Sequence, residues 1–233
     1  MIQNKSFLTI IPARGGSKGV KFKNIRKIIN NDTLLDLAYS FANKCNFIDK
    51  IIISTDHKKI VNECIKNNYN YIVRPKSLSK DHVSAYRVIE NVIKATKKKF
   101  DYIIYLEPTS PFRKKKDLKK SCLEIVKQKK YSCWSVNKVS KKYHPKKLLI
   151  NSKGNLKLYE KNGEKIIARQ QLGEIFQRNG IFYIFNVQQL LKEKKIYLKK
   201  TIFHEINYPY VNIDTIEDLS NTKKLAKKFK FND

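Results

Sequence analysis

Phe7-Leu8-Thr9-Ile10-Ile11-Pro12-Ala13-Arg14-Gly15-Gly16-Ser17-Lys18-Gly19 is the stretch on which the reading of this chain turns. The apolar, β-rich run from Phe7 to Ile11 predicts a first buried strand. It empties directly into a loop with glycine at three of five positions, flanked by Arg14 and Lys18. Glycine lets backbone N–H groups approach anionic oxygens with no Cβ in the way, so the loop reads as a cradle for a polyphosphate. The alternative, on physics alone, is a tight turn whose basic residues are merely solvated. The spacing is neither the Walker pattern, since no Gly-Lys-Ser/Thr closes the loop, nor G-x-G-x-x-G. Lys23-Asn24 follows a few residues on.

Outward from this loop, apolar runs alternate with helical patterns. A helix is expected near Thr33–Lys44, a strand at Lys50–Thr55, and a short helix over His57–Asn67 with Ile60, Val61, Cys64 and Ile65 on one face. Tyr71–Val73 reads as a brief strand, Val83–Thr96 as a helix, Asp101–Leu106 as a strong buried strand, Leu118–Lys127 as a helix and Ser132–Val136 as a strand. This alternation predicts an α/β fold, a mostly parallel sheet with helices on both faces. It breaks over 147–178, where two short apolar runs flank Ser152-Lys153-Gly154-Asn155, a hairpin signal. Alternation resumes with a strand at Gly180–Phe185, a helix at Gln188–Lys194, a strand at Thr201–Ile206 and a last helix over Ile216–Phe229. No repeat or linker divides the 233 residues, which read as a single domain, 1–233, with a small antiparallel insertion. In open α/β sheets ligands sit at the carboxyl ends of the strands. The informative loops all fall there: Pro12–Asn24, Arg74-Pro75, Glu107–Arg113 and Asn212–Asp214.

Composition narrows the function classes. An apolar share of 41% is enough for a core and excludes a disordered chain. No apolar run is long enough to span a bilayer and no signal-peptide pattern is seen, so a cytoplasmic protein with no membrane partner is expected. Cys45, Cys64, Cys122 and Cys133 form no C-x-x-C pair, which excludes a zinc pattern or a disulfide framework; Cys45, Cys64 and Cys122 fall within apolar helical patterns and are expected to be buried thiols. The net charge of +30 suggests nucleic acid, but the excess is lysine spread along the chain, with arginine only at 14, 26, 74, 87, 113, 169 and 178. Sequence-specific readers use arginine and a dedicated motif, and none is visible. No specific nucleic-acid partner is expected, only salt-sensitive association and attraction of anionic substrates.

Taken together the loops resemble those of the acylneuraminate cytidylyltransferases, the CMP-sialic and CMP-nonulosonic acid synthetases. The matching motifs are Ile11–Lys18 with Lys23-Asn24, Ile53-Ser54-Thr55-Asp56, Val73-Arg74-Pro75 with Asp81–Ser84, Leu106–Arg113, Ala168-Arg169-Gln170-Gln171, Asn179–Tyr183 and Asn212-Ile213-Asp214-Thr215. They cover essentially the whole chain in order. The resemblance implies a Rossmann-like sheet of the nucleotide-diphospho-sugar transferase type. It implies that the insertion, about 140–178, reaches a dimer partner, giving a homodimer. It further implies a reaction of CTP with a 2-keto nonulosonic sugar acid of sialic, legionaminic or pseudaminic type, yielding CMP-sugar and pyrophosphate with Mg²⁺ as cofactor, in polysaccharide biosynthesis.

By the same resemblance Arg14, Lys18 and Asp214 carry catalysis. Arg14, Gly15, Gly16, Ser17, Lys18, Asn24, Arg74 and Ser84 bind the nucleotide. Glu107, Arg169, Gln170 and Tyr183 meet the sugar acid, with Arg169 on its carboxylate. Asp214 and Asn212 hold the metal. Arg74 reads alternatively as a surface residue before Pro75. Asp214 reads alternatively as the start of the last helix, in a capping box with Glu217; one carboxylate in one pose does not readily serve both roles. The four histidines show no regular spacing and no general base is identifiable, so metal-assisted deprotonation is the expectation.

Three positions depart from the resembled pattern. Asn212 replaces the first acid of Asp-x-Asp. Glu107 stands where glutamine is usual. Arg178 lies one position after the usual arginine. The competing readings are a nucleotidyltransferase using another base or a sugar phosphate, and a non-catalytic nucleotide-binding paralogue motivated by Asn212.

Overall fold

A computed structural model describes residues 1–16 and 19–229, so the expectations placed on Ser17 and Lys18 lie outside the described residues. The eleven strands in chain order are β1 (Phe7–Pro12), β2 (Lys27–Ile29), β3 (Asp32–Thr33), β4 (Lys50–Thr55), β5 (Tyr71–Val73), β6 (Tyr102–Tyr105), β7 (Ser132–Lys138), β8 (Leu149–Ser152), β9 (Asn155–Leu158), β10 (Phe176–Asn186) and β11 (Thr201–Glu205). The α-helices are α1 (Leu34–Asn43), α2 (Lys58–Lys66), α3 (Ala85–Ala95), α4 (Lys115–Lys127), α5 (Val187–Glu193) and α6 (Ile216–Ala226).

Seven strands form one sheet in the order β11-β7-β10-β6-β1-β4-β5. Alternation along β1 drives the layering. Phe7 and Ile11 pack on one face with Leu35, Ala38, Ile53, Ile60, Leu118 and Cys122. Leu8 and Ile10 pack on the other with Ile52, Ile89, Val92, Ile103 and Phe185. The strands read as near-continuous apolar runs because both faces are covered. Cys45, Cys64 and Cys122 are buried free thiols, as expected from their apolar patterns, and so is Cys133.

The sheet is parallel except for β10, which runs antiparallel to both β6 and β7. The expected resumption of regular alternation at this strand is therefore corrected. No α-helix lies between β7 and β10, so no crossover carries the chain back, and β10 must return in the opposite sense. It also starts four residues before the expected Gly180. Its register shifts between Arg178 and Tyr183, at a bulge holding Gly180 with φ +72°.

The expected hairpin is present as β8–β9, turning through Lys153 and Gly154, both with positive φ. A second ribbon, β2–β3, turns through Asn30 and Asn31, also at positive φ, and went unforeseen because its strands are so short. Helix α4 begins at Lys115 rather than Leu118, since its first turn is polar and invisible to apolar periodicity. In α2, Ile60 and Cys64 are buried while Ile65 is exposed, so the apolar face is narrower than its spacing suggests.

Candidate functional site

A cleft of about 470 Å³ opens at the carboxyl ends of β1, β5 and β6. The loop after β1 forms one wall. Ala13 N–H donates to Ser54 O at 2.9 Å, continuing the β1–β4 ladder past Pro12. Gly15 N–H donates to Asp56 Oδ1 at 3.0 Å, so this donor is already engaged by the protein rather than free for a phosphate. The glycine is needed there for another reason: a Cβ would lie 2.5 Å from the His57 ring. At Gly16 a Cβ would meet nothing within 4 Å. Arg14 reaches over the loop after β5, with Nη1 2.6 Å from Asp81 Oδ1 and 3.3 Å from Ser79 O.

Asn24 sits in a single 3₁₀ turn, Lys23–Ile25, and is buried. Its Nδ2 donates to Arg14 O at 3.4 Å, while its Oδ1 has no hydrogen-bond partner among the described residues. A buried acceptor left unsatisfied at a cleft wall is an unspent recognition group. Arg74, at the end of β5, is 4% exposed, which excludes the surface reading. Its Nε donates to Ser79 Oγ at 2.8 Å and its Nη1 to Ser54 O at 3.2 Å. Burial pulls its pKa down, partly offset by Tyr105 and Asp56. Ser84 is exposed at the N-terminus of α3 and makes no side-chain cap; its neighbours Val83 and Ala85 line the cleft.

The opposite wall comes from the far end of the chain. Ile213 N–H donates to Thr109 O at 2.9 Å, docking this segment on the loop after β6. Gly19 packs so tightly beneath it that a Cβ would lie 2.0 Å from Asp214 O. Arg14, Asn24, Arg74, Glu107, Asn212 and Asp214 thus line one cleft, although the chain separates the first and last by two hundred residues. Asp214 is not the helix cap. The capping box of α6 is Thr215 with Asp218, one residue later than the sequence alternative, and Asp214 only donates its backbone N–H to Asp218 Oδ2. Its carboxylate is free of capping and instead accepts from Lys23 Nζ at 2.8 Å. Lys23 also donates to Ile213 O at 2.6 Å, tying the first wall to the last. No role for Lys23 was read from the sequence, because its partner is remote in the chain.

Glu107 follows β6 and lies against Gly180, where a Cβ would approach Oε2 to 2.5 Å. Burial raises its pKa, with Arg178 and Arg113 pulling the other way. Arg113 was not assigned a role from sequence. It is 1% exposed and donates Nε to Ile181 O at 2.9 Å and Nη2 to Glu107 O, fastening the β6 loop to β10; burial lowers its pKa to about 10. Tyr183 is buried on β10 opposite Tyr105, its ring 5.1 Å from Trp134, so it is a core residue beside Glu107. Arg169 and Gln170 lie apart from the cleft, exposed on a 3₁₀ turn.

For a divalent metal the donor set is one carboxylate, Asp214, and one amide oxygen, Asn212. Among the described residues no group of three His, Cys, Asp or Glu side chains could enclose an ion. Hard oxygen donors few in number suit Mg²⁺, which keeps waters and is completed by substrate phosphates rather than by an all-protein cage. The residues present fit such an ion.

Residues 8–231 match the profile of the cytidylyltransferase family. The chain belongs to that family. This cytidylyltransferase is 26% identical over 227 residues to a pseudaminic acid cytidylyltransferase of Campylobacter jejuni, covering 94% of this chain and 96% of the relative. It is 30% identical over 227 residues to a CMP-N,N'-diacetyllegionaminic acid synthase of Legionella pneumophila, with the same coverage of 94% and 96%. It is 24% identical to an N-acylneuraminate cytidylyltransferase of Streptococcus agalactiae, matching 91% of this chain but 51% of that longer protein. Among solved structures, a CMP:2-keto-3-deoxy-manno-octonic acid synthetase complexed with CTP superposes with a TM-score of 0.71 at 14% identity, covering 96% of this chain and 99% of that one. That likeness establishes the nucleotidyltransferase fold, with its Rossmann-like sheet.

Proposed function

We propose that this cytidylyltransferase couples CTP to a 2-keto nonulosonic sugar acid of the sialic, legionaminic or pseudaminic class, giving CMP-sugar and pyrophosphate. The observation that carries the reading is the shared cleft: the cations Arg14 and Arg74 face the oxygen donors Asp214 and Asn212 across one cavity. Relatives named for three such sugar acids support the substrate class.

The chemistry asks mainly for positioning and charge neutralisation. The anomeric hydroxyl of the sugar acid forms a bond to the α-phosphorus of CTP; the bond from that phosphorus to the bridging oxygen breaks and pyrophosphate leaves. Arg14 stabilises charge on the phosphates, while buried Arg74 and the unpartnered Asn24 amide oxygen orient the nucleotide. Glu107 borders the sugar end, backed from the core by Tyr183. Mg²⁺, when bound, supplies Lewis-acid neutralisation of the phosphate oxygens; Asp214 and Asn212 would hold it. Lys23, paired with the Asp214 carboxylate at 2.8 Å, holds that segment against the first wall of the cleft. Ser17 and Lys18 belong to the same proposal through the resemblance of their loop.

A homodimer completes the reading. Leu149, Ile150 and Leu156 on the β8–β9 hairpin, with Tyr159 just past it, are exposed apolar residues that a second copy would cover. A cytoplasmic location is supported by four buried thiols with no disulfide. No helix among the described residues is long and apolar enough to cross a membrane.

Incubation with CTP, GTP, UTP or ATP and a panel of nonulosonic acids, read by mass spectrometry and pyrophosphate release, tests the assignment. CMP-sugar from CTP is expected; turnover with GTP alone would defeat it. One observation favours a second reading. Asn212 contributes no negative charge to the metal site, as in a nucleotide-binding paralogue without activity. A CTP-induced rise in melting temperature, with no pyrophosphate from any acid at any Mg²⁺ or Mn²⁺ level, would select that reading.

A further inference from the structure

Arg178 is an accessible cation whose orientation is already set. Its guanidinium lies 5.7 Å from the centre of the Trp134 ring and 5.7 Å from that of Tyr197. The two rings themselves stand 4.8 Å apart. A guanidinium resting on aromatic faces keeps its in-plane N–H donors free for a partner in that plane. Among the described residues no carboxylate comes within ion-pair distance of it, and the residue is exposed.

Its position ties it to the sugar end of the cleft. Two residues along β10, Gly180 brings bare backbone against the Glu107 carboxylate. Arg178 is the strongest of the charges that favour ionised Glu107, and it acts on the Tyr183 hydroxyl as well. In the sheet β6 separates β10 from β1, β4 and β5. Arg178 therefore stands on one side of the Glu107 loop, and the nucleotide-facing Arg14 and Arg74 come from strands on the other. Two of the three departures from the family pattern, the carboxylate at 107 and the displaced arginine at 178, meet at this point. A lone carboxylate at 107 would repel an acidic substrate; a fixed guanidinium beside it answers that charge.

We propose that Arg178, clamped on Trp134 and Tyr197, reads the carboxylate of the acid substrate, while Glu107 beside it accepts hydrogen bonds from the substrate's hydroxyl or acylamino groups. The inference rests on the cytidylyltransferase reading above and assigns to Arg178 the role that the family resemblance gave Arg169. A guanidinium meets a carboxylate through two parallel hydrogen bonds, a geometry a lysine cannot copy.

Trp134 is the single tryptophan of the chain, so its emission reports on this spot. The probes are N-acetylneuraminic, legionaminic and pseudaminic acids, together with the methyl ester of the first. At least one acid is expected to change the emission saturably. The ester and the Arg178→Ala variant should each bind at least about tenfold more weakly, with Arg178→Lys closer to Ala than to the parent. In turnover, Arg178→Ala should raise KM for the acid by about the same factor and leave KM for CTP within about twofold. A retained CTP-induced melting shift shows that the variant is folded. Equal binding of acid and ester, an Arg178→Ala titration within about twofold of the parent, or no emission change with any acid overturns the proposal. An emission change that needs the carboxylate and Arg178, without pyrophosphate release from CTP, supports the subsite and defeats the transferase reading instead.

Discussion

At the scale of single residues, Asp214 separates two roles that the sequence left entangled. Thr215 and Asp218 cap the last helix, so the Asp214 side chain is dispensable to it. Its ion pair with Lys23 involves a side chain 69% exposed, and such pairs contribute little. Asp214→Ala is expected to abolish most pyrophosphate release, by about a hundredfold or more, with a melting temperature close to the parent. Asn212→Asp should lower the Mg²⁺ needed for half-maximal rate; no change in that requirement would place the position away from the metal. Glycines 16 and 19 give a second contrast. A Cβ at 19 meets a backbone oxygen of Asp214, which cannot step aside as a flexible side chain would. Gly19→Ala should raise the Mg²⁺ requirement and slow turnover, whereas Gly16→Ala, facing open space, should do so less; parallel Mg²⁺ titrations of the two variants decide. Glu107 gives a pH signature. Burial raises its folded pKa above the ordinary carboxyl range, with Arg178 and Arg113 opposing. Its contribution to stability is therefore present below the ordinary carboxyl pKa and is lost as pH rises through the raised value. Glu107→Gln should accordingly raise the melting temperature relative to the parent at about pH 8 and make little difference near pH 4.

At the scale of elements, the cap of α6 is the simplest joint to test. Thr215 Oγ1 accepts from Asp218 N–H and the Asp218 carboxylate returns to Thr215 and Asp214. Thr215→Ala should cost about 1 kcal/mol in thermal or urea unfolding. It should also loosen the Asp214 segment, raising the Mg²⁺ requirement without removing a ligand. The same joint shows how far the sequence could be read. Most sheet strands were legible because buried strands between helices must be apolar runs, and Thr33 and His57 mark helix starts at the expected places, with Ser84 one residue after the expected Val83. Periodicity carries no direction, so the antiparallel sense of β10 was hidden. The bulge at Gly180, two residues beyond Arg178, leaves no mark except a glycine. The cap was misplaced by one residue because Asp214 with Glu217 and Thr215 with Asp218 satisfy the same spacing; only backbone geometry distinguishes them. The cleft residues from Arg14 to Asp214 were legible as a set through their resemblance to a family. Lys23, Arg113 and the Trp134–Tyr197 clamp were not, because each depends on a contact between segments remote in the chain.

At the scale of the whole molecule, the charge of +30 and the hairpin govern what the protein meets. If the β8–β9 hairpin joins two copies, Leu149→Glu with Leu156→Glu should halve the mass seen by sedimentation; an unchanged mass would remove the hairpin from the interface. The charge acts at longer range. It is carried mostly by lysines dispersed over the surface, while the cations of the cleft, Arg14 and Arg74, are bound to Asp81, Ser79 and Ser54. The surface lysines therefore contribute to the encounter with anionic CTP and sugar acid, and the cleft groups to binding and turnover once the substrates have entered. Screening shortens the reach of the former to about 10 Å at 0.1 M salt and to about 3 Å at 1 M, while interactions inside the cleft are screened less. Raising salt should thus lower kcat/KM for CTP several-fold and leave kcat nearly constant. Association with RNA, held by the same dispersed lysines and with no reading motif, should disappear over the same range. A fall in kcat parallel to kcat/KM would mean that salt reaches the bound phosphates, and the division between a steering surface and a shielded cleft would fail.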